Sequence, residues 1–306
     1  FLESLKTAGF KVASVSKTPG TRNPSAPFTT STLQQEANAR LGFSAKSTMA
    51  AAQKLYQSGK ITYMRTDSVN LSSFAIASSA DFIKKKFGEK YHKARKFATK
   101  SAGAQEAHEA IRPTRIENEK VSTSQDLQKI YTLIRNRTLA SQMAPAQIEK
   151  TTVKIEVSNQ EYYFEAKGEV VVFDGFLKVY SSSKKDEFLP ELANGDSLNF
   201  NEIIAKEVFS RPPARYSEGS LVKKLEDLGI GRPSTYASII STIQERMPQF
   251  WTRFKHVAML QKVKAKVNLA TQFKFHFRKI KSTEKLFKKK PVLLKVNSSQ
   301  QQAEKF

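Results

Sequence analysis

"TTVKIEVSNQEYYFEAKGEVVVFDGFLKVY", residues 151–180, alternates apolar and polar positions from its first strand-like run, where Val153, Ile155 and Val157 fall two apart. A period of two belongs to a strand with one buried face, and the Ser-Asn and Asp-Gly pairs are turn signals. The stretch therefore predicts an antiparallel β module. "LANGDSLNF" (192–200) extends it by a turn and a strand, and "RPPARYSEGS" (211–220) ends it.

Upstream the period is different. From Ser31 to about Met143, "STLQQEANARL", "STMAAAQKLYQSG", "SSFAIASSADFIKKKFG" and "DLQKIYTLIRNRTLASQM" place apolar residues at helical spacing behind Ser or Asp caps, with Gly59 and Gly88 at helix ends. Residues 1–15 alternate weakly around "GFKVASV", and "KTPGTRNPSAP" (17–27) reads as a linker because three prolines and a glycine interrupt it. Downstream, two helices are predicted over 218–228 and 234–246, separated by "GIGRP". The order strand, helices, strands, helices gives an α+β chain in which a helical domain is inserted into a β-rich unit.

Composition narrows the partner. Lys and Arg total 51 against 28 Asp and Glu, a formal charge of +23, which favours a polyanion such as nucleic acid. There is no cysteine, so disulfides, Cys₄ zinc sites and thiol nucleophiles are excluded. No apolar run is long enough for a membrane span and no signal-peptide pattern appears, so a cytoplasmic protein is expected. The sequence opens at Phe1, in mid-pattern and without an initiator Met, as a piece of a longer polypeptide would.

Four short stretches carry chemistry. In "ITYMRTDS" (61–68), an extended backbone puts Tyr63, Arg65 and Asp67 on one face. A phenol ordinarily titrates near about pH 10, so it needs help to act as a nucleophile. Arg65 can hold the oxygens of a phosphate that Tyr63 attacks, and Asp67 can fix the guanidinium. "AQEAHEAIRPT" (104–114) offers His108 and Arg112, four residues apart on a short helix. "LGIGRPSTYASII" (228–240) has glycines for a sharp turn, Pro233 for a helix start, Ser234 and Thr235 as caps, and Arg232 beside an anion seat. "APFTTSTLQQEA" (26–37) gives hydroxyls, Gln34 and Gln35 at a helix start, suited to phosphate or sugar. Each stretch taken alone fits ordinary strand, cap or surface roles at least as well, and "ITYMRTDS" and "AQEAHEAIRPT" fit them better. None matches a P-loop or dinucleotide fingerprint, so ATP is not expected.

Taken together and in this order, the segment 26–68, "QEAHEAIRPT" and "PPARYSEGSLVKKLEDLGIGRPSTYASIISTIQ" resemble bacterial DNA topoisomerase I, the type IA family, from about residue 1 to Arg246. "FDGFLKVY" also fits that pattern. The resemblance implies a toroid: residues 1–22 and 149–212 would form a β-rich arch, 23–148 the inserted helical domain bearing Tyr63, and 213–246 the start of a helical DNA-groove domain. It implies ATP-independent cleavage and rejoining of one DNA strand through a 5′-phosphotyrosine at Tyr63, relaxing negative supercoils. Arg65 would hold the scissile phosphate, with Asp67 and His108 supporting the site. Gln34, Arg112, Arg232, Ser234 and Thr235 would contact single-stranded DNA. The expected protein is a cytoplasmic, nucleoid-associated monomer.

The sequence departs from the family pattern twice. No Asp-x-Asp cluster of the family's Toprim domain occurs, so Mg²⁺ is expected to be held by a Toprim domain outside this chain, which by itself should bind single-stranded DNA but cleave poorly. After Arg246 the pattern stops, and residues 247–306 are rich in Lys and Phe with only Glu284 and Glu304 as acids. A shifted reading frame would produce such a tail; single-strand binding by cations and aromatics is the alternative. A noncatalytic single-strand-binding derivative of the same scaffold and a topoisomerase III-like decatenase remain competing functions.

Overall fold

The computed structural model describes residues 2–97, 109–158, 161–181, 186–204 and 214–246. Its antiparallel sheet consists of β1 (Phe10–Arg22), β2 (Ala146–Val157), β3 (Tyr163–Phe173) and the two-residue β4 (Ser197–Leu198), in spatial order β3-β2-β1-β4. β1 and β2 pair along nearly their whole length, from Phe10 opposite Val157 to Arg22 opposite Ala146, although more than 120 residues separate Arg22 from Ala146 in sequence. The chain leaves the sheet at Arg22 and returns at Ala146. Between them lie α2 (Thr30–Leu41), α3 (Ala45–Gln57), α4 (Ser73–Phe87) and α5 (Gln125–Ser141); a one-turn α1 (Leu2–Leu5) precedes the sheet.

The linker expected at 17–27 is largely strand. β1 continues through Pro19 and Gly20 because β4 pairs with it only at Phe10 and Lys11, leaving the remainder as an edge where a missing N–H is tolerated. Gly20 sits close to its partner strand: a Cβ would stand 3.0 Å from Cγ1 of Ile148. The expected turn and strand at "DGFLKVY" is also different. Residues Gly175–Lys178 form a 3₁₀ turn that drops Phe176 and Tyr180 into the helical core. Gly175 has φ +48°, and a Cβ on it would lie 2.5 Å from the Ala144 carbonyl oxygen.

Side-chain parity along β2 tells which layers the sheet serves. Ala146 and Ile148 are buried at one end, Val153, Ile155 and Val157 at the other. Even gives way to odd, so opposite faces are covered at the two ends. Ala146 joins the helical core of Phe28, Leu33, Leu55, Ile83, Ile130 and Ile134. Val153, Ile155 and Val157 pack with Leu5, Phe10, Val12 and Phe164 in a second core. The helices are closed at their N-termini by Thr29, Ser44 and Ser72, each accepting a backbone N–H from its first turn.

Beyond the sheet, α6 (Glu218–Asp227) and a helix over 236–246, α7, bring Val222, Leu225, Tyr236 and Ile240 onto Ala45 at the start of α3. α6 also lies against α2, so closely that a Cβ on Gly219 would come 3.1 Å from the Gln35 carbonyl.

The short helix expected around 104–114 is replaced, in its described part, by extended chain. Pro113 disfavours the helical region for Arg112, and Ile111 and Pro113 form bridges to Phe28 and Ile61. Glu109 then accepts two hydrogen bonds from Arg112 (3.1 and 2.8 Å) and one from the Ser72 N–H (2.7 Å). Burial alone pushes the Glu109 carboxyl up, but these bonds outweigh it and hold it below its ordinary value.

Two outcomes are expected. Gly175→Ala, strained by its φ and its clash, should lower unfolding stability by more than about 1 kcal/mol in urea titration. Because the Glu109 carboxyl is depressed in the fold, its contribution is present above the ordinary carboxylate range and is lost as pH falls through the folded value. The stability gap between wild type and Glu109→Gln should therefore shrink on acidification; a gap that does not change with pH would refute the pairing.

Candidate active site

The segment 60–70 contains no helix, bends at Lys60, Thr62 and Met64, and alternates in burial from Tyr63 to Ser68. Tyr63 is 46% exposed and Arg65 is exposed, whereas Met64, Thr66 and Ser68 are each 2% exposed or less. The inward residues anchor the segment on both sides. At its start, the Thr62 hydroxyl donates to the Ala110 carbonyl (2.8 Å) and accepts from the Arg112 N–H (2.9 Å), while the Thr62 N–H reaches the Arg112 carbonyl. Further on, the fully buried Thr30 hydroxyl is shared between the carbonyls of Met64 (2.8 Å) and Thr66 (3.1 Å) and accepts from the Thr66 N–H (2.9 Å). The Thr30 N–H completes the junction on the Thr66 carbonyl. Thr30 is the first residue of α2, so the segment is bonded to the end of a helix that packs in the core.

The Tyr63 ring stands edge-on to Tyr56 of α3, centroids 5.3 Å apart. That contact leaves the phenol end toward solvent. Arg65 makes no ion pair or hydrogen bond with any described residue, so its five N–H donors are open to an oxyanion. Asp67 does not pair with Arg65, contrary to the sequence expectation. Its charge is felt at Tyr236 of α7: burial raises the Tyr236 phenol, the charges of Glu226 and, less strongly, Asp67 push the same way, and Arg232 opposes them. The stretches at 61–68 and 228–240 thus lie within electrostatic range of each other.

In the 228–240 turn, Gly229 and Gly231 both have positive φ. The Thr235 hydroxyl accepts from the Arg232 N–H (2.8 Å), closing the turn before α7. The Arg232 and Ser234 side chains are exposed. Two of the expected DNA contacts are placed elsewhere. Gln34 is 0% exposed, on the buried face of α2 near Leu33 and Ala37, and its amide nitrogen and oxygen have no partner among the described residues. Arg112 is spent on Glu109 and on the Pro113 carbonyl, because the straightened chain folds the guanidinium back onto Glu109. His108 lies outside the described residues, as does the tail 247–306.

Sequence reasoning missed Thr30, Thr62 and Glu226. The first two stood in plain view as hydroxyls, but only the tertiary pairing turns them into anchors. Glu226 accepts from the Ser31 hydroxyl at 2.6 Å, tying α6 to α2 one residue beyond the Thr30 junction. Among the described residues no group of three or more His, Cys, Asp or Glu side chains converges as a metal cage would. No described helix is long and apolar enough to cross a membrane.

A family profile described as DNA topoisomerase matches residues 1–289. The chain is 48% identical over 253 residues to DNA topoisomerase 1 of Pseudomonas aeruginosa, covering 80% of this chain and 29% of that protein. It is 47% identical over 264 residues to DNA topoisomerase 1 of Rickettsia felis, covering 80% and 34%. The structure of full-length topoisomerase I from Thermotoga maritima superposes with a TM-score of 0.66 at 38% identity, over 80% of this chain and 42% of that one. The chain thus spans about a third of the length of the curated relatives it matches. With the sheet and helices placed as in a solved topoisomerase I and a family profile running over most of its length, the chain belongs to the bacterial type IA family of DNA topoisomerases.

Proposed function

We propose that this chain is the strand-cleaving part of an ATP-independent DNA topoisomerase that relaxes negative supercoils through a phosphotyrosine intermediate. The observation that carries the reading is Tyr63, exposed on a segment whose two neighbouring anchors, Thr62 and Thr30, are hydrogen-bonded to buried backbone. A nucleophile on a loose loop would lose the orientation that makes attack fast.

The Tyr63 oxygen attacks a backbone phosphorus and gives up its proton, the bond from phosphorus to the 3′ oxygen breaks, and that leaving oxygen takes up a proton in exchange. The 5′ oxygen stays on the phosphorus, giving a 5′-phosphotyrosine and a 3′-hydroxyl. Reversal by that hydroxyl reseals the strand without ATP, because the phosphotyrosine keeps the ester-bond energy. Arg65 is suited to gather the nonbridging oxygens as their charge develops. Arg232, Ser234 and Thr235 are assigned to the single-stranded DNA leading to the site, and Asp67 to the junction with α7 beside Tyr236. His108 keeps its assigned supporting role by family resemblance. Residues 1–22 with 149–212, 23–148 and 213–246 are read as arch, inserted helical domain and start of the groove domain of a toroid. Mg²⁺ is assigned to a Toprim segment and not to residues of this chain. The working form is taken to be a cytoplasmic, nucleoid-associated monomer.

The test uses a 3′-labelled single-stranded oligonucleotide, the chain, Mg²⁺ and a type IA Toprim segment added in trans. Wild type should give a labelled covalent adduct on a denaturing gel, and Tyr63→Phe none, with DNA affinity within about twofold. Single-strand binding without any adduct from wild type would sink the catalytic assignment in favour of a binding derivative. Thr30→Val keeps shape but removes the hydroxyl. It should cut adduct formation by about 100-fold through misplacement of Tyr63 while leaving DNA binding nearly unchanged.

A further inference from the structure

A cavity of about 270 Å³ opens where the end of β1 meets α2, α5 and the 3₁₀ turn, well away from Tyr63. Glu36 and Arg40, on the C-terminal half of α2, line it, about 9 and 15 Å along that helix from Thr30. Three guanidiniums converge there. Arg22 pairs with Glu169. Arg40 donates to one oxygen of Glu36 (2.7 Å) and Arg137 to the other (3.2 Å). Arg40 also lies over the Tyr180 ring, 4.2 Å from its centroid, and Arg137 over the same ring at 5.4 Å.

The charges do not cancel. Glu169 answers Arg22, and a single carboxylate, Glu36, is divided between Arg40 and Arg137, so the cavity keeps one unit of positive charge. Arg137 is 8% exposed and shares Glu36 with the exposed Arg40, so the surplus charge lies at the open side of the cavity. Donors also remain. Only one terminal nitrogen of Arg22, and one nitrogen pair each on Arg40 and Arg137, are bonded to described residues. The Asn23 amide lines the same wall without a partner among the described residues. Planar guanidinium forks with spare N–H groups, a neutral amide and a surplus charge are the chemistry that recognises a tetrahedral phosphate.

We propose that this cavity is an oxyanion site separate from the tyrosine, taking a phosphate group either from a nucleic-acid backbone or from a free phosphate or mononucleotide. The site stands apart from the proposed cleavage reaction, since Tyr63 and Arg65 do not line it and the Tyr63 ring packs on Tyr56 instead.

The experiment is a ³¹P NMR titration of inorganic phosphate with the full 306-residue chain, repeated with Arg40→Gln, Asn23→Asp and Tyr63→Phe. Saturable line broadening is expected, weakened roughly tenfold or more in the first two variants and unchanged in the third. Asn23→Asp keeps size and breaks none of the described hydrogen bonds, so it decides the matter if Arg40→Gln lowers the melting temperature. Displacement of phosphate by oligothymidylate would assign the site to a DNA backbone. Continued phosphate binding beside bound oligothymidylate would assign it to a free phosphate or mononucleotide. Absence of saturable broadening, or broadening that both cavity variants leave intact, would overturn the proposal. Loss of adducts in Tyr63→Phe with phosphate binding intact would separate this site from the cleavage reaction.

Discussion

The hydroxyl of Thr30 is the contact on which the candidate site depends. It is fully buried and engages the backbone at Met64 and Thr66, one on each side of Arg65 and both within three residues of Tyr63. Buried carbonyls that lose such a partner incur their full desolvation cost, so the segment has little freedom to drift. Thr30 in turn is fixed because Thr29 caps the helix and Leu33 and Ala37 fill the core one and two turns on. Position is transmitted from apolar packing to helix, from helix to hydroxyl, and from hydroxyl to the exposed tyrosine.

The same helix serves two other neighbours through polar groups. Ser31 and Asn38 hold α6 by hydrogen bonds to Glu226 and the Gly219 N–H, and Gly219 is the residue that lets the backbones approach. Farther along, Glu36 and Arg40 meet Arg137 and the Ser181 carbonyl beside the return to the sheet. α2 is thus a polar helix in a buried position, with the tyrosine segment, α6 and the sheet junction on different faces. Directional bonds suit that task better than apolar contacts, which would tolerate sliding between the parts they join.

Much of this architecture was legible in the sequence. The change of period at Thr151 marked a strand that begins five residues earlier, at Ala146, and Ser72 caps its helix as its position suggests, whereas Thr29 and Ser44 cap two or three residues ahead of the serines that open the apolar patterns. Pro19 and Gly20 misled, because a proline in an edge strand costs no ladder bond and nothing local says which strands lie at an edge. "FLKVY" misled for another reason: a run of five residues fits either a strand or a 3₁₀ turn, and the choice was made by the core that receives Phe176 and Tyr180. At the site, Tyr63 and Arg65 could be placed on one face from spacing alone. The diversion of Arg112 to Glu109 could not, since it depends on the bridges of Ile111 and Pro113 to distant chain, nor could the burial of Gln34, which depends on how α2 packs.

Register matters here more than bond energy. In an extended chain, a shift of one residue exchanges the two faces, so a slip at 61–68 would bury Tyr63 and Arg65 and expose Met64 and Thr66. Apolar burial of Met64 alone would disfavour that slip only modestly, since a tyrosine ring is also content in a core. The hydrogen bonds decide it. The Thr30 hydroxyl and N–H bind the backbone of specific residues, and Thr62 does the same at the other end through Ala110 and Arg112. With both ends indexed, Tyr63 has one available direction, outward along the edge of Tyr56, and Arg65 follows on the same side. A phenol and a guanidinium facing solvent two residues apart are therefore a consequence of buried threonines rather than of any interaction between the two exposed groups.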